Sequence, residues 1–370
     1  MRNRNYVENG KISSRQTMRL YMFDLMGIAT LLLPPYLARL CGANGIYAIV
    51  VGTGLGYLYL FYLGWIMKKM KTDMMTYLKE ETGKGLRRVC LFLISIHSVI
   101  TAGFCAHVFA NLMKYSLVQD SSYEIILLFI IGVAAYAVSG GIESRARVYE
   151  VLFWIILIPF FPMMFTSIRN VKWRYLEPML HFAGTNFGKG VYLVFLLLTP
   201  LFFVLFLVAE KEKNYGRNII KTVSASVLFS AAILLGSYVI LLGNFGTNSL
   251  SNLRFPIVTL MSTIQFEGIF LKRMDALMLA VWFFTLYALL NLHLHYGVRI
   301  FAELVDREKR KQTWWQVLIP AGIVFFVAYA MHLNQGWLEL FFAYYSYVAV
   351  PFMIGFPGAI VLFRRKKNEK

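Results

Sequence analysis

An acidic residue and a run of helix-breaking residues lie together in the first long apolar segment of the chain. Asp24 is three residues before Gly27, on the same face of a helix. Pro34 and Pro35 follow, and they cannot donate to the carbonyls of residues 30 and 31, which therefore need new partners. A carboxylate near a bilayer centre costs roughly 2.5–3.5 kcal/mol on insertion scales, so Asp24 should face protein or water. It either binds a cation or an ammonium group, or it is a paired structural charge.

A second interruption is predicted in the sixth apolar segment. Pro200 frees the carbonyl of Leu196, and the hydroxyl of Thr199 lies beside it. Non-helical backbone within a membrane is tolerated only where it is buried in protein or lines a cavity, so both interruptions are candidate binding positions. Simple proline kinks are the alternative, and they are the expected role of Pro159, Pro162, Pro320, Pro351 and Pro357.

Polar residues of two other segments complete the predicted site. Ser98 and Thr101 in the third segment, and Tyr287 and Asn291 in the eighth, have side chains that hydrogen-bond either a small polar ligand or a neighbouring helix. The predicted ligand-binding set is Asp24, Gly27, Ile28, Ala29, Thr30, Leu31, Ser98, Thr101, Thr199, Pro200, Tyr287 and Asn291.

The residue types that catalyse reactions or bind metals are not grouped in the sequence. His97 and His107 are turned about 80° from each other on a helix, and His293 and His295 point to nearly opposite faces. Neither an HExxH nor a GxSxG pattern is present. The sequence therefore predicts no metal site, no cofactor and no enzyme.

The composition requires that these residues be positioned by membrane-spanning helices. Hydrophobic residues make up 58% and charged residues 15%, with mean hydropathy +0.60, whereas a soluble domain carries roughly 25% charged residues. Apolar runs long enough to span a bilayer recur along the whole chain. Ten spans are predicted, at residues 16–40, 45–67, 89–113, 123–141, 148–168, 190–209, 218–243, 275–302, 314–333 and 336–363.

The distribution of basic residues sets the predicted orientation. The net charge is +18, but the Lys and Arg residues lie in short loops and tails, which is typical of orientation signals and of lipid headgroup contacts rather than of a nucleic-acid surface. Most of them fall on the side of the N-terminus, so both termini, residues 1–15 and 364–370, are predicted to be cytoplasmic.

Ten spans with both ends on one side divide into two sets of five, and the second set must be inverted relative to the first. We therefore predict an all-α integral membrane protein with a single transmembrane domain over residues 1–370. Repeat one covers residues 16–168 and repeat two residues 190–363, with helices 1 and 6 broken at mid-membrane. Between spans seven and eight, residues 255–261 are predicted to form a short re-entrant or surface helix, in a loop long enough to be a lid.

Four short motifs carry a resemblance to a known family. They are residues 11–16 (Lys-Ile-Ser-Ser-Arg-Gln), Gly27 with residues 31–34 (Leu-Leu-Leu-Pro), residues 42–45 (Gly-Ala-Asn-Gly) and residues 270–275 (Phe-Leu-Lys-Arg-Met-Asp). In order and spacing, over essentially the whole chain, they resemble the B-subunit family of endospore germinant receptors. These are the GerAB-type spore germination permeases of the amino acid-polyamine-organocation (APC) superfamily.

The resemblance implies a LeuT-like five-plus-five fold and a role in sensing a nutrient germinant, usually an amino acid. It also implies a place in the spore inner membrane, beside an A subunit and a lipoprotein C subunit. An ordinary secondary amino acid transporter, coupled to protons or sodium ions, is the alternative because it would share this fold.

Overall fold

The computed structural model describes residues 12–182, 184–207, 215–263, 274–305 and 314–362, and all regular structure in these ranges is helical. Residues 1–11 of the predicted N-terminal tail, the predicted C-terminal tail at residues 364–370, the last residue of the tenth predicted span, Phe363, and residues 270–273 of the fourth motif lie outside these ranges. The α-helices are α1 (Ser14–Cys41), α2 (Gly45–Met70), α3 (Met74–Glu81), α4 (Lys84–Ser116), α5 (Tyr123–Ser139), α6 (Gly141–Ile168), α7 (Phe187–Leu196), α8 (Tyr215–Leu250), α9 (Pro256–Thr263), α10 (Met274–Leu304), α11 (Trp314–Leu333), α12 (Trp337–Tyr344) and α13 (Val350–Leu362).

The helices follow the predicted spans in order. Eight segments of the described chain are long and apolar enough to cross a membrane, and the first, Ser14–Met70, contains both α1 and α2. The apolar helix α5 has 17 residues and falls just below that length. Three of the eight segments contain an interrupted helix: Phe187–Phe206, Trp337–Leu362 and Ile219–Leu250, in which α8 is kinked at Gly246 with a φ of 72°.

Helix α1 is the centre of the bundle. Ser13 caps its start, because the Ser13 hydroxyl accepts from the backbone N–H of Gln16 and the Gln16 side chain accepts from the N–H of Ser13. Every residue from Leu20 to Pro35 is buried. Helices α6, α7, α8 and α10 all pack against it, so protein rather than lipid surrounds α1.

The predicted break in the first span is wrong, because α1 is one continuous helix through residues 27–35. Proline removes a hydrogen bond, but surrounding helices and Thr side chains stabilise such a helix without opening it. The buried Thr30 also joins α1 to α10, because its hydroxyl donates to the carbonyl of Met26 at 2.9 Å and accepts from the indole N–H of Trp282 at 3.2 Å. An opened backbone at residues 27–35 would have to be buried in protein. These residues are indeed buried, but they belong to an intact helix.

The predicted break in the sixth span is confirmed. Helix α7 ends at Leu196, and the chain continues as a 3₁₀ segment over Thr199–Phe206. Pro200 lies at the start of that segment and leaves the Leu196 carbonyl without its helical donor. The Thr199 hydroxyl donates to this carbonyl at 2.7 Å. The freed backbone group is thus satisfied within the break itself.

The last span is also irregular. Between α12 and α13 the chain forms a π-helical turn over Tyr345–Ala349. Such turns inside α-helices occur frequently at functional sites, because they shift the side chains that follow. Tyr345, the first residue of the turn, is buried, and its hydroxyl lies 3.1 Å from the hydroxyl of Thr101 on α4.

The connections on the side where α1 ends are tightly built. Gly42 ends the helix with a φ of 53°, a backbone angle that favours glycine. Asn44 is buried and joins this turn to the loop after α6, since its side-chain amide donates to the His181 carbonyl at 2.7 Å and its oxygen accepts from the Leu180 N–H at 2.9 Å. The short helix predicted at residues 255–261 is confirmed as α9, with its apolar residues buried.

Candidate solute site between the first span and the broken sixth span

A small cavity lies at the centre of the bundle, where the break in the sixth span faces α1. Its volume is about 30 Å³, room for one or two water molecules. It is lined by Asp24, Leu25, Ile28, Ala29, Thr101, Phe104, Leu196, Leu197, Thr199, Pro200, Leu289, His293, Phe341, Phe342 and Tyr345.

The cavity brings together predicted site residues from three separate spans. The predicted residues that line it are Asp24, Ile28, Ala29, Thr101, Thr199 and Pro200. Those that lie outside its lining are Gly27, Thr30, Leu31, Ser98, Tyr287 and Asn291.

The predicted residues outside the lining have identifiable surroundings. Gly27 packs against α10, since a Cβ atom there would lie 2.8 Å from the carbonyl carbon of Thr285. Leu31 belongs to the apolar core. The Tyr287 hydroxyl donates to the Val133 carbonyl on α5 at 3.3 Å. Ser98 and Asn291 are buried, and each has a polar side-chain atom without a hydrogen-bond partner in the described part of the chain.

The lining has a polar side and an aromatic side. Asp24, Thr101, Thr199 and His293 supply polar groups. Both ring nitrogens of His293 are buried and have no hydrogen-bond partner among the described residues. Buried polar atoms are nearly always hydrogen-bonded in folded proteins, so this imidazole is suited to hydrogen-bonding a bound molecule.

Aromatic rings close the cavity toward the side where α1 ends. Phe104 and Phe341 stack with ring centroids 3.5 Å apart and planes 6° apart. Phe342 contacts Tyr36 of α1 edge-on at 5.6 Å. Phe342 also lines a second pocket of about 440 Å³, which we call the side pocket and which Trp337 lines as well. We call this set, Tyr36, Phe104, Trp337, Phe341 and Phe342, the aromatic layer.

A buried ion pair lies at the opposite side of the cavity. An Arg145 Nη atom contacts the Asp24 carboxylate and also donates to the Ala288 carbonyl at 3.1 Å. The exposed fractions of the two side chains are 4% and 1%. One guanidinium therefore joins α1, α6 and α10, and Asp24 is a paired charge that also lines the cavity.

Arg145 is not among the residues predicted for the site, because the span predicted at residues 148–168 leaves it in the preceding loop. In the structure α6 begins at Gly141 and carries Arg145 in its second turn. The sequence does contain one chemical indication that Arg145 belongs to the site. A carboxylate inside the first span requires a cation, and a basic residue next to another apolar run is a natural partner.

Further ion pairs join the helices toward the N-terminal end of α1. Glu150 on α6 forms ion pairs with two arginines of α1, Arg15 at 2.5 Å and Arg19 at 3.5 Å. Arg87 at the start of α4 pairs with Glu303 at the end of α10 at 2.7 Å. The central cavity is thus closed by charged groups on one side and by the aromatic layer on the other.

The sequence comparisons identify relatives across most of the chain. A family model described as "Spore germination protein" matches residues 11–335. Three similar proteins come from Bacillus subtilis (strain 168). Spore germination protein B2 is 22% identical over 353 residues, which is 94% of this chain and 95% of the relative. Spore germination protein A2 is 21% identical over 369 residues, with 97% and 98% covered. Spore germination protein KB is 22% identical over 386 residues, with 98% of both chains covered.

Two solved structures with a similar fold are transporters. A Na⁺-coupled sialic acid symporter, in a substrate-bound outward-open state, has a TM-score of 0.66 at 10% identity and covers 89% of this chain and 76% of its own. A nucleobase-cation-symport-1 family transporter, in a closed conformation with bromovinylhydantoin bound, has a TM-score of 0.62 at 12% identity, with 95% and 77% covered. At these identities the likeness shows the fold, which is the LeuT-like fold that the resemblance implied. The family match over residues 11–335 goes further, and it shows that this multi-pass membrane protein belongs to the spore germination protein family of permeases.

Proposed function

We propose that this chain is the nutrient-sensing membrane subunit of a spore germinant receptor and binds an amino acid, or a similar small germinant, in the central cavity. We place it in the spore inner membrane with both termini in the cytoplasm, beside an A subunit and a lipoprotein C subunit. Membership of the spore germination family supports the receptor role. The basic residues on the side of the N-terminus support the orientation.

The observation that carries the proposal is the lining of the central cavity. Asp24 offers a carboxylate to an ammonium group, and the Thr199 hydroxyl, whose proton is donated to the Leu196 carbonyl, can accept from the same group. Thr101 and His293 can donate hydrogen bonds to a carboxylate. The aromatic and aliphatic side chains opposite them suit an apolar side chain. Because α1 is continuous, its backbone at residues 27–35 offers no half-helix N-terminus to a carboxylate, so side chains must take this role.

Binding requires the cavity to enlarge, because about 30 Å³ is too small for any amino acid. The aromatic layer lies between the two pockets, since Phe104, Phe341 and Phe342 line the central cavity and Tyr36, Trp337 and Phe342 line the larger side pocket. A germinant that binds only when this layer has opened stabilises the open state and shifts the equilibrium toward it. Neighbouring subunits would then respond to the altered helix positions.

Replacing the two cavity threonines by valine tests this role with almost no change of side-chain shape, and at Thr199 it also removes the donor to the Leu196 carbonyl. The Thr101→Val/Thr199→Val variant removes both hydroxyls, and we expect the amino acid concentration for half-maximal germination to rise about tenfold per lost hydrogen bond. The measurement is spore germination against amino acid concentration. The response of the same spores to germinants of other receptors is the control. A dose-response curve identical to that of the wild type would show that the germinant binds elsewhere.

The fold neighbours favour one alternative, a secondary transporter that moves an amino acid with a proton or sodium ion. Uptake of labelled amino acid into proteoliposomes under an imposed ion gradient distinguishes the two roles. Accumulation driven by the gradient would establish transport. Loss of the spore response in the double valine variant, without any uptake by the wild-type protein, would establish sensing.

A further inference from the structure

A second, larger cavity opens on the side where α1 ends. It has a volume of about 810 Å³ and lies between the end of α4, α9, α10, the end of α11 and the start of α12. We call it the vestibule. Its volume falls within the roughly 300–1,000 Å³ that is typical of small-molecule sites. The central cavity shares no lining residue with it.

The vestibule carries positive charge that is not neutralised by described residues. Lys114 and Arg254 both line it, and no Asp or Glu occurs among its described lining residues. Neither cation forms an ion pair with a described carboxylate. A cleft lined by charges of one sign, with low-dielectric walls, concentrates ions of the opposite sign.

The wall of the vestibule beside these cations consists of aromatic rings and an amide side chain that hold one another in place. His107 is fixed by hydrogen bonds to the Tyr123 hydroxyl at 2.7 Å and to the Asn111 amide at 2.8 Å. Trp337 meets the His107 ring edge-on at 4.5 Å, and His332 stacks on Tyr123 at 3.8 Å. These contacts hold the rings of the wall in place. A flat or apolar group could therefore stack there while an anionic group pairs with the cations.

The vestibule is separated from the central cavity by residues already described. Trp282 lines the vestibule and donates to Thr30 on α1 at 3.2 Å. Trp337 lines both the vestibule and the side pocket, and Phe342 lines both the side pocket and the central cavity. A solute in the vestibule is thus on the far side of the aromatic layer from Asp24.

We propose that the vestibule is a second binding site, for a small organic anion. A carboxylate of the ligand pairs with Lys114 and Arg254, and the rest of the molecule rests against Trp337. This site does not depend on what the central cavity binds.

L-Glutamate and L-glutamine are suitable probes, because they have nearly the same shape but differ by one negative charge. Calorimetric titration of the protein in phosphatidylcholine nanodiscs, at constant ionic strength, should show glutamate binding at least about tenfold tighter than glutamine. The Lys114→Gln/Arg254→Gln variant should lose this preference. Neither side chain has a described ion-pair partner, so its unliganded thermal midpoint should match that of the wild type.

Two control variants define where the anion binds. Lys172→Gln/Arg174→Gln makes the same charge change near the Trp173–Leu176 turn, outside the vestibule lining, and should keep the glutamate preference. Thr101→Val/Thr199→Val alters the central cavity alone and should keep it as well. The proposal is overturned if both probes bind equally or not at all, if the preference for glutamate survives in Lys114→Gln/Arg254→Gln, or if either control abolishes that preference.

Discussion

Replacement of Asp24 by alanine should destabilise the folded protein by about 3–5 kcal/mol, because it leaves the buried Arg145 guanidinium without its counter-charge. Arg145→Ala should have an effect of similar size, since it leaves the Asp24 carboxylate buried and unpaired. Unfolding of the purified protein in detergent, followed by heat or by denaturant, measures both. The exposed Arg147 on the same helix is the control, and Arg147→Ala should change stability by less than about 0.5 kcal/mol.

The double variant Asp24→Leu/Arg145→Met distinguishes the contribution of the ion pair to stability from the role of Asp24 in binding the germinant. Replacing a buried ion pair by apolar residues of similar volume is often neutral or stabilising, so the double variant should recover most of the stability that each single change removes. It should nevertheless fail to respond to an amino acid, because the carboxylate that we assign to the ammonium group is gone. If the losses of the two single variants simply add in the double variant, the ion pair is not the source of the destabilisation.

Gly27→Leu should cost about 1–3 kcal/mol of stability and should abolish the spore response. The α-carbon of Gly27 faces α10 so closely that an added Cβ atom would lie 2.8 Å from the Thr285 carbonyl carbon and 2.9 Å from the Thr285 Oγ1 atom. A leucine side chain must therefore push α1 away from α10. This displacement would move Asp24 and Ile28 relative to the rest of the cavity lining. Thermal unfolding and germination dose-response curves measure the two effects.

A glycine with free space around it provides the comparison. A Cβ atom at Gly54 on α2 would meet nothing within 4 Å, so Gly54→Ala should leave the response unchanged and should stabilise the helix by up to about 1 kcal/mol. If Gly27→Leu behaves like Gly54→Ala in both measurements, close packing of α1 against α10 has no part in the function.

The spans were predictable because lipid requires long apolar segments, and the break at Thr199 was predictable because Pro200 removes a backbone donor in the middle of one. The same argument failed for α1, although two adjacent prolines lie in it. A proline frees a carbonyl, but the sequence does not show whether neighbouring side chains will stabilise the helix or let it open. In α1 the helices packed around it keep it intact.

Part of the site was invisible in the sequence for a different reason. Thr101 and Thr199 are polar residues in apolar spans, so the sequence marks them as candidate site residues. Phe104, Phe341 and Phe342 are three of 31 phenylalanines, and nothing in the sequence distinguishes them from the others. Which aromatic residues meet is decided by packing between distant helices. The role of Arg145 depends likewise on a contact with Asp24, a residue 121 positions away in the chain.

Equilibrium binding of labelled solutes tests the central claim most directly. The protein, purified with any subunits that copurify, should show saturable binding of at least one common L-amino acid at one site per chain. That binding should be weakened at least about tenfold in Thr101→Val/Thr199→Val and should be unchanged in Gly54→Ala. Absence of saturable binding for all the common amino acids and nucleosides, or equal affinity in the wild type and the double valine variant, would contradict a germinant site in this cavity.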